Sequence, residues 1–248
     1  MLEVAIAQDV QVFTVNEPPA NYINGAGAAE GYVVDIVNLL QKKVGNRSKV
    51  IFLPEARALE MVKETPNVLF FSLSKTVPRE ENYHWIGQVM SKKWQVYALE
   101  SNDITINNLR DLENLYSIGI VRGDVREEWL QSQNFTNLHS VTQHNQNILR
   151  LLMGRVPVIV YEEQGLAYFS HEMGIDFTLF KPVYTLRQSA VYIVMSKATP
   201  THIVKLWQDA FEQLTQSGEI KKISLAWQQK LKQEFNISSE ISKGILFF

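Results

Sequence analysis

Ser72, Ser74, Thr76 and Arg79 stand in one short segment directly after an apolar run at residues 68–71. An arginine presents a planar fork of N–H donors that matches a carboxylate, and neighbouring hydroxyls supply neutral hydrogen bonds beside it. In open α/β sheets ligands bind beyond the carboxyl ends of the strands, and this segment has that position if 68–71 is a strand. Taken in isolation, Arg79 reads more simply as the partner of a surface acid. Glu162 follows a second apolar run, 156–161, in an equivalent place. It reads either as a site for a cation or as the start of the next helix, where an acid suits the helix dipole.

Other chemistries lack their residues. Gly25, Gly27 and Gly31 are spaced one residue too long for the dinucleotide fingerprint and follow Pro18 and Pro19, so they predict a turn into a helix near Val33. The sequence contains no Walker-type phosphate loop, no G-x-S-x-G elbow and no H-E-x-x-H helix. The five histidines, His84, His139, His144, His171 and His202, fall on separate predicted elements without ligand spacing, so no metal site is expected. Glu80 with Glu81, and Glu127 with Glu128, read as solvated faces. The absence of cysteine excludes a thiol nucleophile, a thiolate metal site and a disulfide framework. No cofactor is expected.

The elements that must position these residues alternate along the chain. A strand is predicted at 2–7, then a Pro- and Gly-rich loop at 16–31, and a helix through Val33, Ile36, Val37 and Leu40 closed by Gly45. Strand 49–53, helix 56–63 and strand 68–71 follow; 72–83 reads as a loop, and two separate strands are expected at 85–89 and 94–99. A second series begins after Ser101. It holds a short helix at Leu109 and Leu112, strand 117–121, helix 126–131, strand 138–141, helix 145–153, strand 156–161, helix 163–171 and strands 177–180 and 190–195. Thr199 before Pro200 predicts a helix start, with Ile203, Trp207, Ala210, Phe211 and Leu214 on one face and Gly218 as the stop. A last helix is expected from Ile220 to Phe235. Strand–helix alternation of this kind implies an α/β protein with parallel sheets covered by helices.

Composition agrees with a globular chain. Its 248 residues are 46% hydrophobic and 20% charged, and a chain of this length buries about 73% of its unfolded surface. Twenty-four basic against twenty-six acidic residues leave a net charge of −2, which lacks the footprint of a nucleic-acid binder. The longest apolar runs are far short of a membrane span.

Several stretches, in order, resemble the periplasmic solute-binding proteins of amino-acid ABC transporters, family 3 of the solute-binding fold. Residues 31–43 (GYVVDIVNLLQKK) resemble the family's Gly-aromatic-x-x-Asp first helix, and 72–79 (SLSKTVPR) its Thr-Pro-x-Arg loop. Residues 118–123 (IGIVRG) resemble the Val-Gly-Val-x-x-Gly turn, 152–156 (LMGRV) the Leu-x-x-Gly-Arg segment, and 210–227 the closing pattern that ends in Trp227. The resemblance covers nearly the whole chain. It implies a type II periplasmic-binding fold of two lobes, each a mostly parallel sheet flanked by helices: residues 1–98 with 190–248, and residues 99–189. Two hinge crossings would join them, with the ligand in the cleft between.

The resemblance further implies a periplasmic monomer, its leader removed, that captures a small polar ligand by lobe closure for an ABC permease, without nucleic-acid partners or a membrane-spanning segment. The ligand class is an amino acid or a related zwitterion or carboxylate. A sensory ligand-binding module is the alternative use. An enzyme on the same scaffold, dehydratase-like or peptidoglycan-cleaving, is the rival, with Glu17 or Glu162 as its acid. Residue by residue, Arg79 matches the arginine that grips the α-carboxylate, while Ser72, Ser74 and Thr76 lie in the loop that contacts the ligand's polar groups. Glu162 stands where an aspartate holds the α-ammonium. Asp124, Val125 and Arg126 match a helix-start segment that often supplies a threonine to the carboxylate. Asp9 or Glu17 would read the ligand side chain, Phe13 or Tyr22 would form an aromatic wall, and Arg57 would also face the cleft.

Overall fold

The computed structural model describes residues 10–248, so the expected strand at 2–7 and the candidate Asp9 lie outside the described residues. Those residues divide into two units. One runs up to Ser91 and resumes over Ala190–Glu234 and Ser238–Phe248; the other is Lys92–Ser189 with Phe235–Ile237.

In the first unit, β1 (Gln11–Thr14) lies between β4 (Val50–Phe52) and β5 (Val68–Ser74) and runs parallel to both. All seven residues of β5 are buried, in keeping with the apolar run 68–71 that opens it. A small hairpin, β2 (Tyr22–Ile23) with β3 (Ala29–Glu30), leads into α1 (Tyr32–Val44). There Val33, Ile36, Val37, Leu40 and Val44 turn one apolar stripe inward, and Gly45 closes the helix in the left-handed conformation. Gly31 caps the start of α1 at φ 140°, and a Cβ on it would run into the Ala20 carbonyl. Only glycine fits there. Helix α2 (Glu55–Glu64) buries Ala58 and Val62 against β5.

Two 17-residue strands, β6 (Tyr83–Leu99) and β10 (Phe180–Ser196), each carry residues of both units. In the first unit β10 runs antiparallel to β5. Helices α7 (Thr201–Gln216) and α8 (Glu219–Phe235) follow, and Trp207 is fully buried. Strands β11 (Glu240–Ser242) and β12 (Ile245–Phe247) form a terminal hairpin whose second strand pairs parallel with β6 at Met90.

The second unit is built on β7 (Ile118–Val121), which lies parallel between β8 (Leu138–Val141) and β9 (Val158–Tyr161); β6 adds antiparallel to β9. Helices α3 (Leu109–Glu113), α4 (Val125–Ser132), α5 (His144–Leu152) and α6 (Glu163–Glu172) connect these strands. One core gathers Val96, Ile118, Ile120, Leu130 and Val158, and a second gathers Ile148, Leu151, Ile159 and Leu166. The fold is thus α/β, with mostly parallel strands flanked by helices.

Several local expectations are corrected. Residues 83–99 form one strand where two were expected, because the polar Lys92 at its middle is neutralised inside the protein. Residues 72–83 are not a simple loop: β5 continues to Ser74 and a 3₁₀ helix spans Val77–Asn82. Residues 177–179 are a 3₁₀ turn, held by Asp176 accepting from the Thr178 N–H, and the strand begins only at Phe180. Thr199 does not cap α7. Its Oγ1 accepts from the Asn67 N–H at 3.0 Å and meets Ser196 Oγ at 2.7 Å, so Pro200 takes the cap position.

Candidate functional site

In the first unit, the carboxyl end of β5 carries Ser72 and Ser74, both buried. Ser72 has φ 70°, the left-handed region, and the register of β5 with β10 shifts beside it. It is the extra residue of a β-bulge, a device that re-aims a side chain at a strand end. Its hydroxyl donates to Asn21 Oδ1, and Asn21 Nδ2 donates in turn to the Val15 carbonyl. Asn21, which the sequence reading did not single out, thereby ties the segment carrying Glu17 to the bulge; Glu17 also bridges Asn21 through the backbone. Thr76 precedes the 3₁₀ helix, its side chain making no cap, and its carbonyl accepts from the Arg79 N–H at 2.9 Å. Arg79 is 8% exposed. For a guanidinium, such burial implies specific polar partners.

The other first-unit candidates are dispersed. Phe13 is a core residue packed with Ala58, Val62 and Phe70. Tyr22 is buried, and its hydroxyl donates to Glu30 at 2.7 Å. Arg57 is exposed on α2.

In the second unit the candidates converge. Strands β7 and β9 are parallel neighbours, and their carboxyl ends lead into Asp124 and Glu162, the cap residues of α4 and α6. Asp124 caps α4 by accepting from the Arg126 N–H at 2.8 Å, and the same carboxylate accepts from Arg126 Nε at 2.6 Å and from Nη2. Glu162 makes no cap hydrogen bond. Its carboxylate meets Arg126 Nη1 on one oxygen and Lys92 Nζ, at 2.7 Å, on the other. Val125 is buried.

Aromatic groups enclose this cluster. The Arg126 guanidinium lies 5.0 Å from the centre of the Tyr161 ring, and His144 stacks on Tyr161 at 4.4 Å. Neither Lys92 nor His144 stood out as a site residue in the sequence. Lys92 had a signal in the Lys92–Lys93 pair, since alternation along a strand sends one of two neighbours inward.

The cluster is electrostatically closed. Burial alone would raise the Asp124 carboxyl, but the charge and hydrogen bonds of Arg126 outweigh it and hold Asp124 well below the usual carboxylate range. Burial likewise opposes ionised Glu162, and Arg126 and Lys92 together keep it ionised. His144 is pushed down to about 4, first by burial and then by the Arg126 charge, so it is neutral near pH 7. Two cations and two anions leave no net charge.

Glu127 corrects another expectation: it is buried, not a solvated acid. At the third position of α4 it accepts from the Gly123 N–H at 2.6 Å and from the Ser140 hydroxyl, which fixes the loop after β7. Glu80, Glu81 and Glu128 are exposed. Among the described residues no group of three or more acids or histidines could hold a metal ion, and no helix is long and apolar enough to cross a membrane.

Residues 10–230 match a family model described as bacterial extracellular solute-binding proteins, family 3. The chain belongs to that family. Solved structures of the same fold resemble this one. A histidine kinase sensor domain with similarity to periplasmic binding proteins matches at a TM-score of 0.80 and 14% identity, over 89% of this chain and 96% of that one. An ABC uptake transporter substrate-binding protein from Streptococcus pneumoniae, with bound histidine, gives 0.78 and 15%, over 94% and 96%. An ancestral arginine-binding protein bound to arginine gives 0.74 and 16%, over 88% and 97%. At these identities the likeness shows the type II periplasmic-binding fold. No curated protein matches the chain.

Proposed function

We propose that this family-3 protein captures a small carboxylate-bearing solute, an amino acid or a related acid, in the periplasm and delivers it to an ABC permease. Capture is by closure of its two units on the ligand, with no bond made or broken. The observation that carries the reading is Arg79, a buried guanidinium in the 3₁₀ helix shortly after the carboxyl end of β5, which itself carries the bulged Ser72 and the buried Ser74. A guanidinium fork at such a place suits a bidentate carboxylate contact, and the Ser74 hydroxyl suits one of its remaining lone pairs. Ligand contacts to both units would favour the closed state over the open one. The histidine- and arginine-bound structures of the same fold support a ligand of this size and polarity.

A thermal-shift panel of amino acids and small carboxylates tests the reading. A ligand at about 100 times its dissociation constant stabilises by about 2.7 kcal/mol. For the ligand so identified, Arg79→Ala and Arg79→Lys are expected to weaken binding by about thirty-fold or more while leaving the fold intact, because a buried charge loses its partner. Binding by Arg79→Ala within about two-fold of wild type, measured by calorimetry, contradicts the assignment. The sensor-domain likeness favours a second use, as the input module of a signalling system. Lost uptake in cells lacking the protein supports transport; intact uptake with a lost transcriptional response supports sensing.

A further inference from the structure

We infer that Lys92 sets the ligand class: by engaging Glu162 it denies that carboxylate to a ligand ammonium, so the captured solute is a carboxylic acid without an α-amine. The inference rests on the reading of Arg79 as the carboxylate fork and concerns the acids of the second unit. Asp124 and Glu162 are the acids at the carboxyl ends of β7 and β9, where an open α/β sheet receives its ligand. Both already have cations against them. Lys92 Nζ sits 2.7 Å from one oxygen of Glu162, and Arg126 Nη1 meets the other. Arg126 also holds both oxygens of Asp124 through Nε and Nη2.

All four side chains are buried, with side-chain exposures of 3% for Lys92, Arg126 and Glu162 and 8% for Asp124. An incoming ammonium would therefore have to break a buried ion pair and come to rest beside two fixed positive charges. In a site of low polarity both steps are strongly unfavourable. A carbonyl, a hydroxyl or a methylene at the same carbon breaks no pair and adds no charge. Lys92 is the decisive member because Arg126 is shared between two acids, and Lys92 supplies the second cation on Glu162.

The test is calorimetry on matched pairs that differ only in the amine: L-glutamate against glutarate, L-leucine against isocaproate, L-phenylalanine against phenylpropionate. The wild-type protein is expected to bind the amine-free member of at least one pair about a hundredfold more tightly, the scale of breaking a buried pair. Lys92→Met, which leaves Glu162 with an unmet charge, is expected to shift that ratio at least tenfold toward the amino acid. Wild-type binding of an amino acid as tightly as its amine-free partner overturns the inference but leaves the Arg79 reading standing, provided Arg79→Ala still abolishes it. Wild-type binding of no member of any pair overturns the carboxylate reading and this inference with it. If Lys92→Met does not fold, the wild-type ratio alone decides.

Discussion

At the residue scale, Lys92, Asp124, Arg126 and Glu162 hold one another in a place where none would be stable alone. Removing one partner of a buried pair leaves an uncompensated charge and typically costs 3–5 kcal/mol. Arg126→Met, which strips Asp124 of its cation and Glu162 of one of two, is accordingly expected to lose about 3–5 kcal/mol in urea unfolding. Lys92→Met combined with Glu162→Gln should cost less than the sum of the single changes, since the pair is removed together. Additive costs would show that Lys92 and Glu162 do not interact. His144 gives the cluster a pH signature. Its folded value of about 4 lies below the ordinary 6.5, so between these pH values the unfolded chain binds the proton that the native state refuses. Stability therefore falls as pH is lowered from about 6.5 toward about 4. The acids of the cluster, held ionised in the native state, add their own losses below their ordinary values of 3.8 and 4.5. His144→Phe, which retains an aromatic face against Tyr161, should lose less stability than wild type between pH 7 and pH 5; parallel losses would contradict this account. Of the cluster, Glu162 is legible in the sequence because it follows an apolar run at a strand end, and Asp124 and Arg126 are legible through the resemblance of their segment to the family's helix start. Lys92 had only the signal of the Lys92–Lys93 pair, and which of the two turns inward becomes visible only once the acid that faces it is known.

At the element scale, the strands and helices that follow hydrophobic periodicity are readable, and those interrupted by buried polar residues are not. The β6 strand reads as two because Ser91, Lys92 and Lys93 break its apolar pattern, yet Lys92 is satisfied by Glu162 and the backbone continues through. The first half of β10 hides in the same way behind Thr185, Arg187, Gln188 and Ser189. Strand β1 and the hairpin of β11 with β12 were missed for a different reason: they have three or four residues each and derive their definition from neighbours far away in sequence. The turn between β11 and β12 carries Lys243 and Gly244, both at positive φ, which is the local signal that was available. Where one backbone position controls an element, a single substitution should show it. Gly31→Ala places a methyl against the Ala20 carbonyl at the entry to α1, and it also forces an unfavourable φ. We expect a loss of about 2–4 kcal/mol in chemical denaturation. A loss below about 0.5 kcal/mol, the usual scale of a neutral surface change, would show that the segment relaxes freely.

At the scale of the whole molecule, the chemistry divides between the two units. The first carries the buried Arg79 and, at the end of β5, the buried Ser72 and Ser74, and the second a self-neutralised cluster at two parallel strand ends. The alternation of strands and helices made the α/β class legible, and short ordered motifs made the family legible, because both depend on patterns repeated along the chain. The ligand was less legible, since its recognition depends on which charges are already spoken for inside the fold. Capture by both units makes a prediction about size. Small-angle scattering of the wild-type protein, with and without the ligand selected by thermal shift, tests it most directly. The account predicts a smaller radius of gyration with saturating ligand, and no such change for Arg79→Ala at the same ligand concentration. An unchanged radius of gyration for the saturated wild type would mean that one unit holds the ligand alone, and would contradict capture by closure.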